Sequence, residues 1–297
     1  MELLALRTFQ AVVEEGGILA ASRKLNTVQS NVTGRIRKLE EELGTELFHR
    51  KGRGLELAPS GKVLLSYARR LLQLERQTAA AVKQVGENSG ELRIGAMETF
   101  AALHLPRALK AVRAGHPQVE LRVFTDTTAV LTEKVLNHKL DCAFVAGPVI
   151  HPELNFEAVA MEELVQVHAA LVDPVRLPLI LFREGCAYRS RALAWQRAIG
   201  HATADVMEFG TLDGILGCVS VGLGWTLMPR RVVESSQHAA DLVVTPVPSD
   251  IGLVPTGMVT VADAAPLAAL RTLADAIIAA CGNDSEIGML TGVNDEV

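Results

Sequence analysis

Gln29, Ser30, Thr33, Arg35 and Arg37 cluster at the start of a stretch, Val28 to Leu43, in which Val32, Ile36, Leu39 and Leu43 recur at the three-and-four spacing of one helix face. The polar residues are left largely on the other side. Amide, hydroxyl and guanidinium groups near a helix N-terminus can read the donor and acceptor pattern of base edges, and a major groove admits such a helix. Arg50, Lys51 and Arg53 follow at the tip of a hairpin-like segment, where their charge suits phosphate. An isolated polar stripe is commonly just a solvated helix face, so the reading depends on the elements around it.

Those elements are present. Leu3, Leu6, Phe9, Val12 and Val13 mark an amphipathic helix that Gly16 and Gly17 stop. A short helix over Ile18–Leu25 follows, and Asn26 or Thr27 is the expected N-cap of the next. The order is short helix, turn, basic helix, hairpin, which is the outline of a winged helix-turn-helix.

Charge places this activity within the chain. The 297 residues carry a net charge of −5. Residues 1–90 hold 14 Lys and Arg against 10 Asp and Glu, and the remainder holds 15 against 24. Nucleic-acid contact is therefore expected from the N-terminal third alone. The length suggests two or three domains. No apolar run approaches the roughly 20 residues that span a bilayer, and the N-terminus lacks a basic leader, so a cytoplasmic location without membrane contact is expected.

The run from Leu6 to Gly61, with FQAVVEEGG, AASRKL, VQSNVTGRIRKLEEELGTELFHR and LAPSG in order, resembles the N-terminal domain of LysR-type transcriptional regulators. The resemblance implies a homodimer or homotetramer on double-stranded DNA, with RNA polymerase as a further partner. It makes Gln29, Ser30 and Thr33 base readers and Arg50 and Arg53 wing contacts. Two positions depart from the pattern. Gly34 stands where many relatives carry Arg, so that reader is lost or displaced to Arg35, and Gly17 replaces a Ser cap.

From Ser60 to Glu87, Val63, Leu64, Ala68, Leu71, Leu74, Thr78 and Val82 give a near-heptad pattern, suited to a long helix that pairs with another helix. The family has its dimerising linker here. GENSG, residues 86–90, reads as a hinge. The resulting division is 1–59 for the winged helix-turn-helix, 60–90 for linker and hinge, and 91–281 for an effector-binding domain. A polar tail over 282–297 is expected to be disordered.

Beyond the hinge, short strands at Leu92–Gly95, Val119–Thr125 and Asp141–Val145 alternate with helices at Thr99–Ala114 and Thr128–Asn137, the pattern of a parallel α/β sheet. A second such unit begins near Glu163, with strands at Val165–Ala170, Leu179–Phe182 and Asp205–Phe209. A strand at Met258–Val261 and a helix at Leu267–Cys281 return to the first. The order of IGAMETFAALHLPRALKAVRAGHP, LDCAFVAG and VGLGWTLMP resembles the LysR effector-binding domain. This implies a two-lobed fold like periplasmic binding proteins, with lobe I at about 91–161 and 258–281 and lobe II at about 162–257.

Ligands of open α/β sheets bind beyond strand C-termini, where helix N-termini offer free N–H groups. The positions are Glu98, Thr99 and Phe100; Thr127 and Thr128 after Asp126; Ala146 and Gly147; Tyr188 and Arg189 beside Cys186; and Phe209. Arg189 would clamp an anion, whereas Glu98 would favour an ammonium group such as that of an amino acid. The expected ligand is a small-molecule effector.

Enzymatic signatures are missing from the sequence: it has no GxSxG, HExxH, P-loop or GxGxxG, and its eight histidines form no i, i+3 or i, i+4 pair. Metal ligation, a resident cofactor and catalysis are not expected. Cys142, Cys186, Cys218 and Cys281 are dispersed and read as structural thiols. Two other readings of the scaffold stand beside the regulator: a small-molecule binding protein that uses its N-terminal domain only to oligomerise, and a redox sensor that pairs Cys186 with Cys218.

Overall fold

The computed structural model describes residues 1–51, 54–84, 90–170, 177–200, 205–262, 264 and 267–282. The chain divides into two compact units, Met1–Val85 and Gly86–Val297.

In the first unit, α1 (Leu3–Glu14), α2 (Ile18–Lys24) and α3 (Gln29–Leu43) pack around Leu6, Phe9, Val12, Ala21, Val32, Ile36 and Leu39. Strands β1 (Phe48–Lys51) and β2 (Gly54–Leu57) form the antiparallel wing, and α4 (Pro59–Gln84) closes the unit through Leu64, Ala68 and Leu72. Leu3 and Leu43 do not join this core; lying in terminal turns, they are 42% and 41% exposed. The Asn26 and Thr27 cap is corrected. Val28 is the N-cap, without a side-chain cap bond. Asn26 instead closes α2 in the left-handed conformation, with φ 48°. Its N–H bonds the Arg23 carbonyl and the Thr27 N–H the Ser22 carbonyl, at 3.2 and 2.9 Å, the Schellman pattern. The glycine of LAPSG is steric. A β-carbon on Gly61 would lie 2.3 Å from the Leu47 carbonyl oxygen, so only glycine lets α4 start against the wing.

The second unit is built on β3 (Gly90–Ala96), β4 (Val119–Thr125), β5 (Cys142–Ala146), β6 (Leu154–Ala169), β7 (Leu179–Phe182), β8 (Val206–Phe209), β9 (Thr226–Pro229), β10 (Leu242–Pro246) and β11 (Leu253–Val261). One sheet runs β4-β3-β5-β11 and on to the first part of β6; β9 and β10 pair with the rest of β6. The parallel pair β7-β8 joins through Trp225, whose N–H bonds the Pro178 carbonyl and whose carbonyl accepts the Ile180 N–H. The long strand β6 thus serves two lobes. The chain crosses between them at Glu162–Leu164 and again at Leu253–Thr256.

Three sequence expectations change. The first sheet is mixed, because β11 is antiparallel to both β5 and β6. Both crossing strands start earlier than the patterns at Val165 and Met258 suggested. The helix expected over Thr99–Ala114 is two helices, α5 (Glu98–Leu103) and α6 (Leu105–Gly115). Pro106 has no N–H to continue the ladder and is accommodated in the first turn of α6.

The other helices are α7 (Thr128–Leu136), α8 (Ala187–Ala198), α9 (Leu212–Ser220), α10 (Arg230–Glu234), α11 (Ser249–Gly252) and α12 (Ala268–Gly282). A buried ion pair ties β3 to the start of β5. Arg93 Nη2 lies 2.7 Å from Asp141 Oδ1, and the Arg93 backbone N–H donates to Oδ2 at 2.8 Å. Of the tail expected over 282–297, Gly282 belongs to α12, and 283–297 lie outside the described residues, as do the hinge residues 86–89.

Candidate functional site

The first unit presents α3. At about 100° per residue, Ser30, Thr33, Gly34 and Arg37 share one outward arc and Gln29 adjoins it. Gln29, Ser30, Gly34 and Arg37 are exposed and Thr33 is half-buried. The Thr33 hydroxyl donates to the Gln29 carbonyl at 2.9 Å. Its proton is committed, so Thr33 offers a groove an oxygen acceptor and a methyl group.

Arg35 does not belong to this surface. It is half-buried on the flank toward α1, with Nη1 3.5 Å from Thr8 Oγ1. Gly34 has nothing within 4 Å of where a β-carbon would stand, so packing does not require it. The outward arc thus carries no arginine at position 34, and Arg35 does not take that place. Arg50 lies in β1 opposite Leu55, and Arg53 is outside the described residues. On α4, Val63, Tyr67, Leu71, Leu74 and Val82 form an exposed apolar stripe beside the buried Leu64, Ala68 and Leu72.

The second unit presents a cleft of about 50 Å³, lined by residues that include Glu98, Thr99, Asp126, Thr127, Thr128, Arg183, Tyr188 and Gly210. Five positions expected from sequence thus meet: Glu98, Thr99, Thr127, Thr128 and Tyr188. The N-termini of α7 and α8 open onto it. The Thr99 and Thr127 hydroxyls are buried, with exposures of 1% and 7%, and have no hydrogen-bond partner.

Charges at the cleft compensate one another. Asp126 accepts from the Thr127 N–H at 2.9 Å, Arg183 at 3.0 Å and Lys134 at 3.1 Å. Burial alone would raise the Asp126 pKa, but these donors outweigh it and hold the carboxyl below its usual range. Glu98 accepts the Leu212 N–H at 2.8 Å, which engages it at the start of α9. Three links draw the lobes together: Glu98 to Leu212, Asp126 to Arg183, and the Ala129 N–H to the Gly185 carbonyl at 3.2 Å. Gly185 has φ 89°, and a β-carbon there would sit 2.9 Å from Thr127 Oγ1.

The other expected cleft residues are corrected. Phe100 is fully buried, stacked on Phe144 with ring centroids 4.8 Å apart. Ala146 is buried and its N–H meets the Met97 sulfur; the Gly147 N–H bonds the Pro255 carbonyl, and the Phe156 ring fills the space beside Gly147. Phe209 packs on the second lobe's core and leaves Gly210 to line the cleft. Arg189 is no free clamp, since its Nη1 donates to the Phe182 carbonyl at 2.8 Å and to Glu208 at 2.9 Å. Arg183, which sequence reasoning missed, is the cleft arginine. An Arg one residue past a short strand could have signalled it.

All four cysteines are free. Burial pushes the Cys186 thiol up, against the pull of the Arg189 and Tyr188 N–H groups. Such a thiol is a poor nucleophile at neutral pH. Among the described residues no group of three His, Cys, Asp or Glu could hold a metal ion, and no helix is long and apolar enough to cross a membrane.

Comparison with known proteins agrees with both halves. Residues 3–62 match the model for bacterial regulatory helix-turn-helix proteins of the lysR family, and residues 86–282 match that for the LysR substrate binding domain. The HTH-type transcriptional regulator YusT of Bacillus subtilis is 40% identical over 279 residues, covering 93% of this chain and 95% of its own. GltR of the same organism is 38% identical over 244 residues, 80% of this chain and 82% of its own. In fold, full-length OxyR from Pseudomonas aeruginosa superposes with a TM-score of 0.68 at 22% identity, covering 93% of this chain and 94% of its own. Full-length CbnR complexed with its target DNA gives 0.63 at 19% identity, over 94% of this chain and 100% of its own. With a winged helix-turn-helix that exposes its reading helix and a two-lobed domain closed over a cleft, the chain belongs to the LysR family of DNA-binding transcriptional regulators controlled by a small-molecule effector.

Proposed function

We propose that the effector is a small anion held between the lobes, and that Gln29, Ser30, Thr33 and Arg37 read the operator while Arg50 and Arg53 grip phosphate at the wing. The pair of buried, unpartnered hydroxyls of Thr99, in the first turn of α5, and Thr127, at the α7 N-terminus, carries the effector reading. Helix N-termini favour negative charge, and Arg183 adds a cation at the cleft. The acidic groups there are compensated: Asp126 by Lys134 and Arg183, Glu98 by the Leu212 N–H. An ammonium-selective site is therefore not favoured. Its role is binding, not catalysis. The apolar stripe on α4 supports pairing of two chains, which would double a modestly basic DNA-binding unit.

A thermal-shift titration with small mono- and dicarboxylates, amino acids and alkylamines tests this. Carboxylates should raise the melting temperature, because a ligand that binds only the folded state stabilises it by RT ln(1 + [L]/Kd). Thr127→Val should abolish the shift. Stabilisation by the amines alone would overturn the reading.

A further inference from the structure

Glu162 stands where β6 leaves the first lobe for the second, opposite Val254 of β11, and it is 8% exposed. Its Oε2 accepts two hydroxyl protons, one from Tyr188 of α8 and one from Thr256 of β11, the latter at 2.9 Å. Its Oε1 has no partner. Tyr188 lines the cleft, and so does Thr99. The Thr99 hydroxyl is buried at the same cleft and has no hydrogen-bond partner. A row of groups therefore leads from the lobe crossover to the ligand space: Glu162, Tyr188, Thr99.

A phenol has one proton to donate. While Glu162 is ionised, that proton points inward to Oε2, and Tyr188 offers Thr99 only lone pairs. The Thr99 hydroxyl then meets no donor in Tyr188 and stays unpartnered, as observed. Once Glu162 is neutral, its Oε2–H can donate to the Tyr188 oxygen. Tyr188 is then free to donate to Thr99, and Thr99 to donate into the cleft. Protonation of the carboxyl thus turns the Tyr188 proton outward, and Thr99 follows.

Resting on the reading of the cleft as an anion site, we propose that protonation of Glu162 sets the sense of this hydroxyl row, so that an anionic effector binds with uptake of one proton at Glu162. The step is balanced. One proton from the buffer acid forms one O–H bond on Oε2 and leaves the buffer base in solution, the ligand keeps its charge, and the net charge of the cleft is unchanged on binding. The groups facing Glu162 permit it. Tyr188 approaches from α8 with Cys186 beside it, Arg231 approaches from α10, and Thr256 of β11 does not titrate. Burial pushes the Glu162 pKa up, and the bonds from Tyr188 and Thr256 and the charge of Arg231 offset this only in part. By linkage, an anion that favours the proton is itself favoured by it.

Acetate, titrated into the full chain by calorimetry in two buffers of different ionisation heat, provides the test. Between about pH 6 and 8 acetate itself stays ionised. Its affinity should fall about tenfold per pH unit above the Glu162 pKa, with one proton taken up per acetate. In Glu162→Gln the affinity should not vary with pH. In Tyr188→Phe, which keeps Glu162 but cuts the row, it should be weaker and equally flat. Saturable binding with no pH slope and no proton uptake would overturn the coupling and leave the anion site standing. The absence of saturable acetate binding at any pH would overturn both.

Discussion

On α3 the outward groups other than the half-buried Thr33 are exposed and draw little from the rest of the chain, whereas around the cleft Asp126, Glu98 and Arg183 are matched by partners from the opposite lobe. The physical demands differ. DNA brings its own dense charge and releases counterions on contact, so a reading surface can stay solvated until its partner arrives. A cleft that closes on a small ligand removes its own charges from water, and an unmatched charge there would hold the lobes apart. What the cleft leaves unsatisfied is neutral: the hydroxyls of Thr99 and Thr127.

If this contrast is right, truncating a charge in the second unit should cost stability, whereas truncating one on the outer face of α3 should cost DNA affinity. The largest effect belongs to Arg93→Ala. It leaves Asp141 in a site where the two side chains are only 13% and 7% exposed. Removing one partner of a buried pair costs about 3–5 kcal/mol, and the remaining Arg93 N–H bond puts the expectation near the lower end. Denaturant unfolding of the second unit would measure it. A change below about 1 kcal/mol would show that this ion pair behaves like a surface pair.

Next in size is the split between the two arginines of α3. Arg37→Ala should weaken operator binding by about 1–3 kcal/mol and leave stability within about 0.5 kcal/mol. Arg35→Ala should leave sequence preference unchanged, because its guanidinium lies against Thr8. Anisotropy titrations of both variants on operator and scrambled DNA decide the matter. Equal losses of specificity would return Arg35 to the reading face.

Much of this was legible in the sequence. The helices of the first unit announce themselves by apolar spacing, and the LEEELG and LAPSG segments by positions that only local backbone geometry explains, such as Gly61 against Leu47. The cleft was legible as a set of strand ends but not in its occupants. Phe100 and Thr99 are adjacent in α5, yet one packs into the core and the other meets the ligand space, a difference of one step around a helix. Arg183 and Arg189 were indistinguishable until Glu208, from a strand far along the chain, claimed the second. Glu162 was hidden because a Glu-Glu pair inside a strand reads as solvent-facing. Glu163 does pair with Arg230 at the surface, whereas Glu162 is turned inward by the alternation of the same strand.

The smallest expected effect tests the compensation at Asp126. Its carboxyl is held below its ordinary range in the fold, so the unfolded chain takes up the proton first as pH falls. The stability it contributes is fully present above the unfolded carboxyl pKa, about 3.9, and is lost as pH falls through the folded value. Glu162, shifted the other way, favours the fold at low pH and gives that advantage up as pH rises from its ordinary range through its raised folded value. Asp126→Asn should therefore lower the melting temperature at neutral pH and flatten its decline in acid. Glu162→Gln should leave the acid side unchanged and remove a decline on the neutral side. If Asp126→Asn melts like the parent at every pH, Lys134 and Arg183 are as well solvated without Asp126 as with it. The cleft mouth would then be as loosely held as the face of α3.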